Sequence, residues 1–195
     1  DTYNVQTAFG AKGDGATDDS AAMQSALDSG KPLFAPDGTY VITRTLIYKS
    51  SGTSTYINAP RLCGNGMWTT KFDNRVANGP MLIIYSEVDY KFLTAGYFCN
   101  FSILSTTHPV NSHGIQFSHL WQTRFDNVRI DGLTGHGYYI KFGIGTGTVG
   151  DAQGPIMIQI NNGWIMNNQG IGINVENPAG TQAIENSFLD IRNSF

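Results

Sequence analysis

The side chains best suited to chemistry in this chain are Asp126, Asp131, Glu185 and Asp190, with Arg129, Trp164, Trp121 and His119 near them in sequence or in repeat position. Two carboxylates roughly 6.5–9.5 Å apart can hydrolyse a glycosidic bond, one protonated as acid and one ionised as the base that activates water. Arg129 and Trp164 suit the binding half of that chemistry. A guanidinium pairs with a carboxylate through two hydrogen bonds, and an indole offers a flat apolar surface to a sugar ring. Trp121 with His119 and Arg124, in "SHLWQTR", forms a second grouping of that kind. A base near Arg129 could instead remove the proton beside a uronate carboxyl. Arg129 or a divalent cation would then neutralise the developing charge, as a lyase requires.

These residues belong together because the chain repeats itself. "FCNFSILS" from Phe98, "FDNVRIDG" from Phe125, "INNGWIMN" from Ile160 and "IENSFLDI" from Ile184 each place an Asn two residues after an apolar residue, with another apolar residue three places beyond the Asn. The Asn positions 100, 127, 162 and 186 are spaced by 27, 35 and 24 residues. "HGIQFSH" from His113, "HGYYIKF" from His136 and "GIGINVEN" from Gly170 make a second echo, and the insert "GIGTGTVGDAQG" from Gly143 accounts for the long spacing as a loop. Such a period predicts a parallel β-solenoid, whose coils bury their apolar faces only against one another. Propeller blades, at about 40–50 residues, are longer than these units. The recurrent Asn fits one corner, where its amide can bond the same Asn in the coils above and below.

Stacking the segments puts Cys99, Asp126, Asn161 and Glu185 in one column and Leu104, Asp131, Met166 and Asp190 in another. Ser102, Arg129, Trp164 and Phe188 form a third, which points outward because Ile103, Ile130, Ile165 and Leu189 point in. Asp126 and Glu185 are then two coils apart, as are Asp131 and Asp190, about 9.6 Å at ordinary strand spacing.

The positioning elements read as one domain over 1–195, with 1–45 forming an amino-terminal cap and first strands and 46–195 the coils. An amphipathic helix is expected over Asp18–Ser29, with Ala22, Met23, Ala26 and Leu27 on one stripe, Thr17 or Asp18 as cap and Gly30 as stop. It is suited to covering the bare edge of the first coil. "KPLFAPDGTYVIT" follows as two short strands around a Pro36-Asp37-Gly38 turn. At the other end "IENSFLDIRNSF" is still in repeat pattern, so that edge is expected to be truncated or covered by another chain.

Twelve basic residues against 15 acidic ones, with no Lys/Arg cluster, argue against a nucleic-acid or anionic-membrane partner. No apolar run approaches the roughly 20 residues of a membrane helix. "GIGTGTVG" lacks the Gly-Lys-Ser/Thr of a phosphate loop, and there is no Gly-x-Ser-x-Gly elbow. His113, His119 and His136 have no carboxylate or Cys at ligand spacing, so no metal site is expected. Cys63 and Cys99 show neither zinc nor Cys-x-x-Cys spacing and read as two buried thiols.

Phe9-Gly10-Ala11, Gly13-Asp14-Gly15, Thr17-Asp18-Asp19-Ser20, Gln24 and Ala26, followed by "PDGTYVIT", resemble the amino-terminal signature of the pectate-lyase-like superfamily. The resemblance implies an all-β fold, a single-stranded right-handed parallel β-helix with a short N-terminal capping α-helix. It also implies that the acidic stretch Asp14–Asp19 is structural; its pattern does not match the helix–loop–helix calcium loop. Members of this type include phage tailspike depolymerases, exopolysaccharide-degrading enzymes and polyuronate epimerases. The resemblance therefore implies a depolymerase of capsule, exopolysaccharide or O-antigen, with hydrolysis by paired carboxylates as the leading mechanism. It implies no cofactor beyond a divalent cation in the lyase case, a polysaccharide partner, a homotrimer, and a place outside the cell or on a virion. A uronate lyase and a non-catalytic receptor-binding or structural spike module stay open. The Asp-Pro-His-Glu run of alginate epimerases is absent.

Overall fold

A computed structural model of the chain describes residues 1–50, 56–86, 92–117, 120–141, 157–176 and 188–194. The expected loop at 143–154, His119, Glu185 and Asn186 lie outside them. The described chain is a parallel β-solenoid, as expected. Strands Tyr3–Asn4, Leu33–Ala35, Arg61–Gly64, Tyr97–Leu104, Thr123–Asp131, Met157–Asn161 and Phe188–Arg192 stack in parallel in that order.

The long strands Tyr97–Leu104 and Thr123–Asp131 each serve two walls of the solenoid. Their first halves belong to the stack just given, the first wall. Their second halves join Asp14–Asp18, Gly38–Ile42, Thr70–Asn74 and Trp164–Met166 in a second wall. A third wall is built from Leu46–Ser50, Gly79–Ser86, Ser112–Phe117, Tyr138–Lys141 and Ile173–Glu176. The corner between the first two walls falls on Asn100, Asn127, Asn162 and Asn193, with φ of 58°, 53°, 50° and 48°. That left-handed conformation strains most residues but suits Asn, whose short polar side chain bonds locally. Asn127 Nδ2 donates to Asn100 Oδ1 at 3.0 Å, so the ladder anticipated from the repeat is formed there.

The last coil is framed differently from the expectation. Ile160 registers with Ile191 and Asn161 with Arg192, so the fourth corner residue is Asn193 instead of Asn186. The sequence carries the apolar-x-Asn pattern twice in its last segment, and pairing along the whole of Met157–Asn161 selects the second copy.

Inward-facing positions form columns that fill the interior. Leu33, Leu62, Phe98, Phe125 and Ile160 line the first wall, and Tyr40, Phe72, Ile103 and Ile130 the second; all are buried. Phe98 and Phe125 stack at 5.0 Å with planes 14° apart. Truncating one such phenylalanine to alanine leaves a cavity that costs about 3–5 kcal/mol.

Two helices close the amino-terminal end. Helix α1, Val5–Phe9, was not expected; the Asn4 side chain accepts from the Gln6 and Thr7 N–H groups, and Gly10 ends it at φ 81°. Helix α2 spans Ser20–Asp28, slightly inside the expected range, and buries Met23, Ala26 and Leu27. Its Gln24 does the work of an edge strand: Nε2 donates to the Ile47 carbonyl at 2.7 Å and Oε1 accepts the Ile47 N–H at 2.8 Å. The peptide groups of Ile47, at the edge of the third wall, are thereby satisfied.

Candidate functional site

The acidic stretch is consumed by the cap. Asp19, almost fully buried, accepts the Lys12 and Gly13 N–H groups at 2.6 and 3.0 Å. Asp14 accepts Ala16 N–H, Thr17 N–H and the Thr17 hydroxyl at 2.7–2.9 Å, and these bonds hold its carboxyl down at about 2. Asp18 accepts from Ser20 and from Thr43 Oγ1; burial pushes its carboxyl up, but the hydrogen bonds together with Arg44 outweigh it and the net direction is down. These oxygens organise the backbone. Among the described residues no three His, Cys, Asp or Glu side chains are grouped to hold a metal ion.

The outer walls present the remaining chemistry. On the second wall Arg129 registers directly with Trp164, the adjacency anticipated from the repeat. A third member was missed: Trp68, in the Asn65–Thr69 corner, lies 53% exposed over both. The Arg129 guanidinium carbon is 4.4 Å from the Trp68 ring centroid, and the two indoles meet edge to face at 5.6 Å. Trp68 precedes the strand that faces Ser102, whereas Arg129 and Trp164 lie further along the stack. It therefore reaches across the intervening coil, where Ser102 is small, outward-facing and completely buried. No repeat marks Trp68, since its corner departs from the Asn pattern; a tryptophan in a Gly-Met-Trp-Thr-Thr turn was the available signal. Arg129 is also ion-paired with Asp131, which accepts from Asn167 Nδ2 at 2.9 Å.

On the first wall Asp126, 8% exposed, is held by three neighbours. Arg124 Nε lies 2.7–2.8 Å from its oxygens, Asn161 Nδ2 donates at 2.8 Å, and the Tyr97 hydroxyl bonds to it. Burial first, and then Asp126, push the Tyr97 hydroxyl up, with Arg124 and Arg61 opposing. Asp190 is ion-paired with Arg192 at 2.7 Å. The shifted last coil places Asp190 opposite Gln159, in the column of Arg124, so it does not share a column with Asp131. Asp126 and Asp190 do share the first wall, two coils and one alternate position apart. Ordinary strand spacings put their backbone positions about 12 Å apart. Trp121 is on a short strand that pairs with Phe92–Thr94, away from the Trp68 cluster's wall.

The cysteines are not two thiols. Cys63 and Cys99 face each other in register on the first wall, with Cα atoms 4.5 Å apart, and form a disulfide. The pairing was hidden because solenoid neighbours are 36 residues apart in sequence.

The third wall carries a histidine stack. His113 and His136 lie face to face at 5.0 Å, with Tyr139 beside both. His113 Nδ1 accepts the His136 N–H at 2.8 Å, and His136 Nδ1 accepts the Ile171 N–H at 2.9 Å. Each ring thus bonds the backbone of the next coil.

Fold and walls define a β-solenoid that displays aromatic and charged side chains along its coils. The chain belongs to the family described as rhamnogalacturonase A/epimerase, pectate lyase-like, whose profile matches residues 2–189. Over 36 residues it is 50% identical to the preneck appendage protein of Bacillus phage PZA and to the pre-neck appendage protein of Bacillus phage phi29, a match covering 18% of this chain and 4% of each phage protein. In structure it resembles ORF18 of Geobacillus virus E2, with a TM-score of 0.62 and 19% identity, over 99% of this chain and 48% of that one. It also resembles the A-module of the Azotobacter vinelandii mannuronan C-5 epimerase AlgE4, with a TM-score of 0.61 and 17% identity, over 87% and 46% of the two chains. This chain therefore spans about half the length of the structures it resembles.

Proposed function

We propose that this chain is a polysaccharide-binding module, and that the second wall is where the glycan docks. The observation that carries the reading is the Trp68–Arg129–Trp164 cluster, a half-exposed indole set over an arginine and meeting a second indole edge to face. An exposed tryptophan held rigidly loses little freedom when a sugar ring stacks on it. Asp131 and Asn167 beside it supply an acceptor and a donor for hydroxyl groups. The 36-residue likeness to phage appendage proteins supports a place on a virion. A disulfide supports a working life in oxidising surroundings.

Binding is favoured over hydrolysis because Asp126, Asp131 and Asp190 are each held by an arginine, and Asp131 and Asp190 occupy different walls. The test is titration with a panel of capsular polysaccharides, exopolysaccharides and O-antigens. Reducing ends and absorbance near 235 nm are followed in parallel. Saturable binding that Trp68→Ala weakens roughly tenfold or more, without cleavage, is the expected result. New reducing ends that vanish in Asp126→Asn or Asp131→Asn would replace it with glycoside hydrolysis; absorbance at 235 nm would replace it with β-elimination.

A further inference from the structure

Four of the chain's six arginines hold a carboxylate two residues away: Arg75 with Asp73, Arg124 with Asp126, Arg129 with Asp131, and Arg192 with Asp190. Residues two apart leave a strand on the same face, which is why the three pairs within strands, Arg124–Asp126, Arg129–Asp131 and Arg192–Asp190, form. Arg61 occupies the same outward column as Tyr97 and Arg124 on the first wall. Its neighbour two residues on is Cys63, a sulfur already used in the disulfide. Among the described residues Arg61 has no ion-pair partner.

Arg61 stands between two adjoining hollows. One, of about 330 Å³, has Pro32, Phe34, Cys63 and Tyr97 in its lining; the other, of about 180 Å³, has Lys31 and Asn58. Pro32 and Arg61 border both. Asp1 also lines the larger hollow. The Tyr97 hydroxyl is turned to Asp126, and the apolar part of the lining comes from Pro32 and Phe34. A half-exposed apolar surface next to an unpaired guanidinium is complementary to a ring that carries one carboxylate.

We infer that this cleft binds the carboxylate of an acidic sugar residue, with Arg61 as its bidentate partner and Pro32 and Phe34 against the ring. Lys31, across the second hollow, meets a hydroxyl or the acid of the neighbouring residue. Arg129 on the second wall is already neutralised by Asp131, so this cleft is a site separate from the second wall. The inference rests on the polysaccharide reading only for taking a sugar as the ligand.

The test uses monosaccharides, so that it does not depend on finding the polymer. The 195-residue chain is titrated with sodium glucuronate, glucose and inorganic phosphate by calorimetry, and the perturbed residues are located by NMR. Glucuronate should bind saturably and tighter than both other probes, shifting Arg61, Phe34 and Tyr97 resonances. Arg61→Gln should weaken it roughly tenfold, the expected loss for removing a charged hydrogen-bond partner. Arg61 is exposed, so the variant should keep its thermal midpoint. Trp68→Ala should leave glucuronate binding unchanged, which separates this cleft from the second wall. Glucuronate binding equal to that of glucose or phosphate, or undiminished in Arg61→Gln at an unchanged midpoint, would overturn the inference.

Discussion

The acidic residues of the amino-terminal cap and those of the outer walls look alike in sequence and are used in opposite ways. Asp14, Asp18 and Asp19 spend their oxygens chiefly on backbone N–H groups and hydroxyls of the cap. Asp126, Asp131 and Asp190 spend theirs chiefly on arginines of their own strand. A backbone N–H cannot move away to find another partner, so a cap carboxylate is hard to replace. The exposed guanidinium groups of Arg124 and Arg192 can turn to water, so Asp126 and Asp190 are cheaper to replace, whereas Arg129 is largely buried beside Asp131.

That contrast is most sharply tested at Asp19. Asp19→Ala strands two N–H groups in a nearly dry site and should cost about 3 kcal/mol, lowering the thermal midpoint by about 6–12 °C in a chain of this size. A midpoint within experimental error of the parent would remove the basis of the comparison.

The walls have one fixed element of comparable weight, the disulfide. Reduction with dithiothreitol, or the Cys63→Ser/Cys99→Ser pair, should destabilise by about 3 kcal/mol through the freed unfolded chain. Denaturant melts with and without reductant give the number, and coincident curves would exclude a stabilising staple.

Acid titration should expose the cap carboxylates directly. The Asp14 carboxyl is lowered from 3.8 to about 2 in the folded chain, and Asp18 is lowered too. A folded-state value below the unfolded one adds stability that is complete above the unfolded value and lost as pH falls through the folded one. Stability should therefore decline from about pH 4 towards pH 2, and Asp14→Asn should flatten that decline. A parallel decline in both proteins would mean that Asp14 carries none of it.

The smallest effect is expected on the walls. Arg124 is half exposed, so Asp126→Asn should cost less than about 1 kcal/mol. A larger loss in the melting curve would show that the Tyr97, Asn161 and Arg124 contacts hold the coils together, as cap contacts do.

Much of the fold was legible because a solenoid writes its period into the sequence. The Asn at 100, 127 and 162, each with an inward Ile or Val nearby, gave corner and register correctly through three coils. The reading slipped where the pattern occurred twice in one segment, and hydrogen-bonded register along the strand, not the motif, made the choice. Arg129 beside Trp164 was legible because both lie on aligned repeats. Trp68 was not, because it enters from a corner that breaks the repeat and bridges coils through space.

Sequence alone determined the parallel coils, the inward columns and the structural role of the acidic stretch, since periodicity and local hydrogen bonding are short-range properties. The helix cap itself is Asp19, whose side chain bonds Lys12 and Gly13 and not the helix, instead of Thr17 or Asp18. Only the tertiary structure decided which side chains meet across coils: Cys63 with Cys99, Trp68 over Arg129, and, among the described residues, Arg61 outside any ion pair. Stacking brings together residues some 30 positions apart in sequence at the spacing of one strand, and no local pattern records which of them will touch.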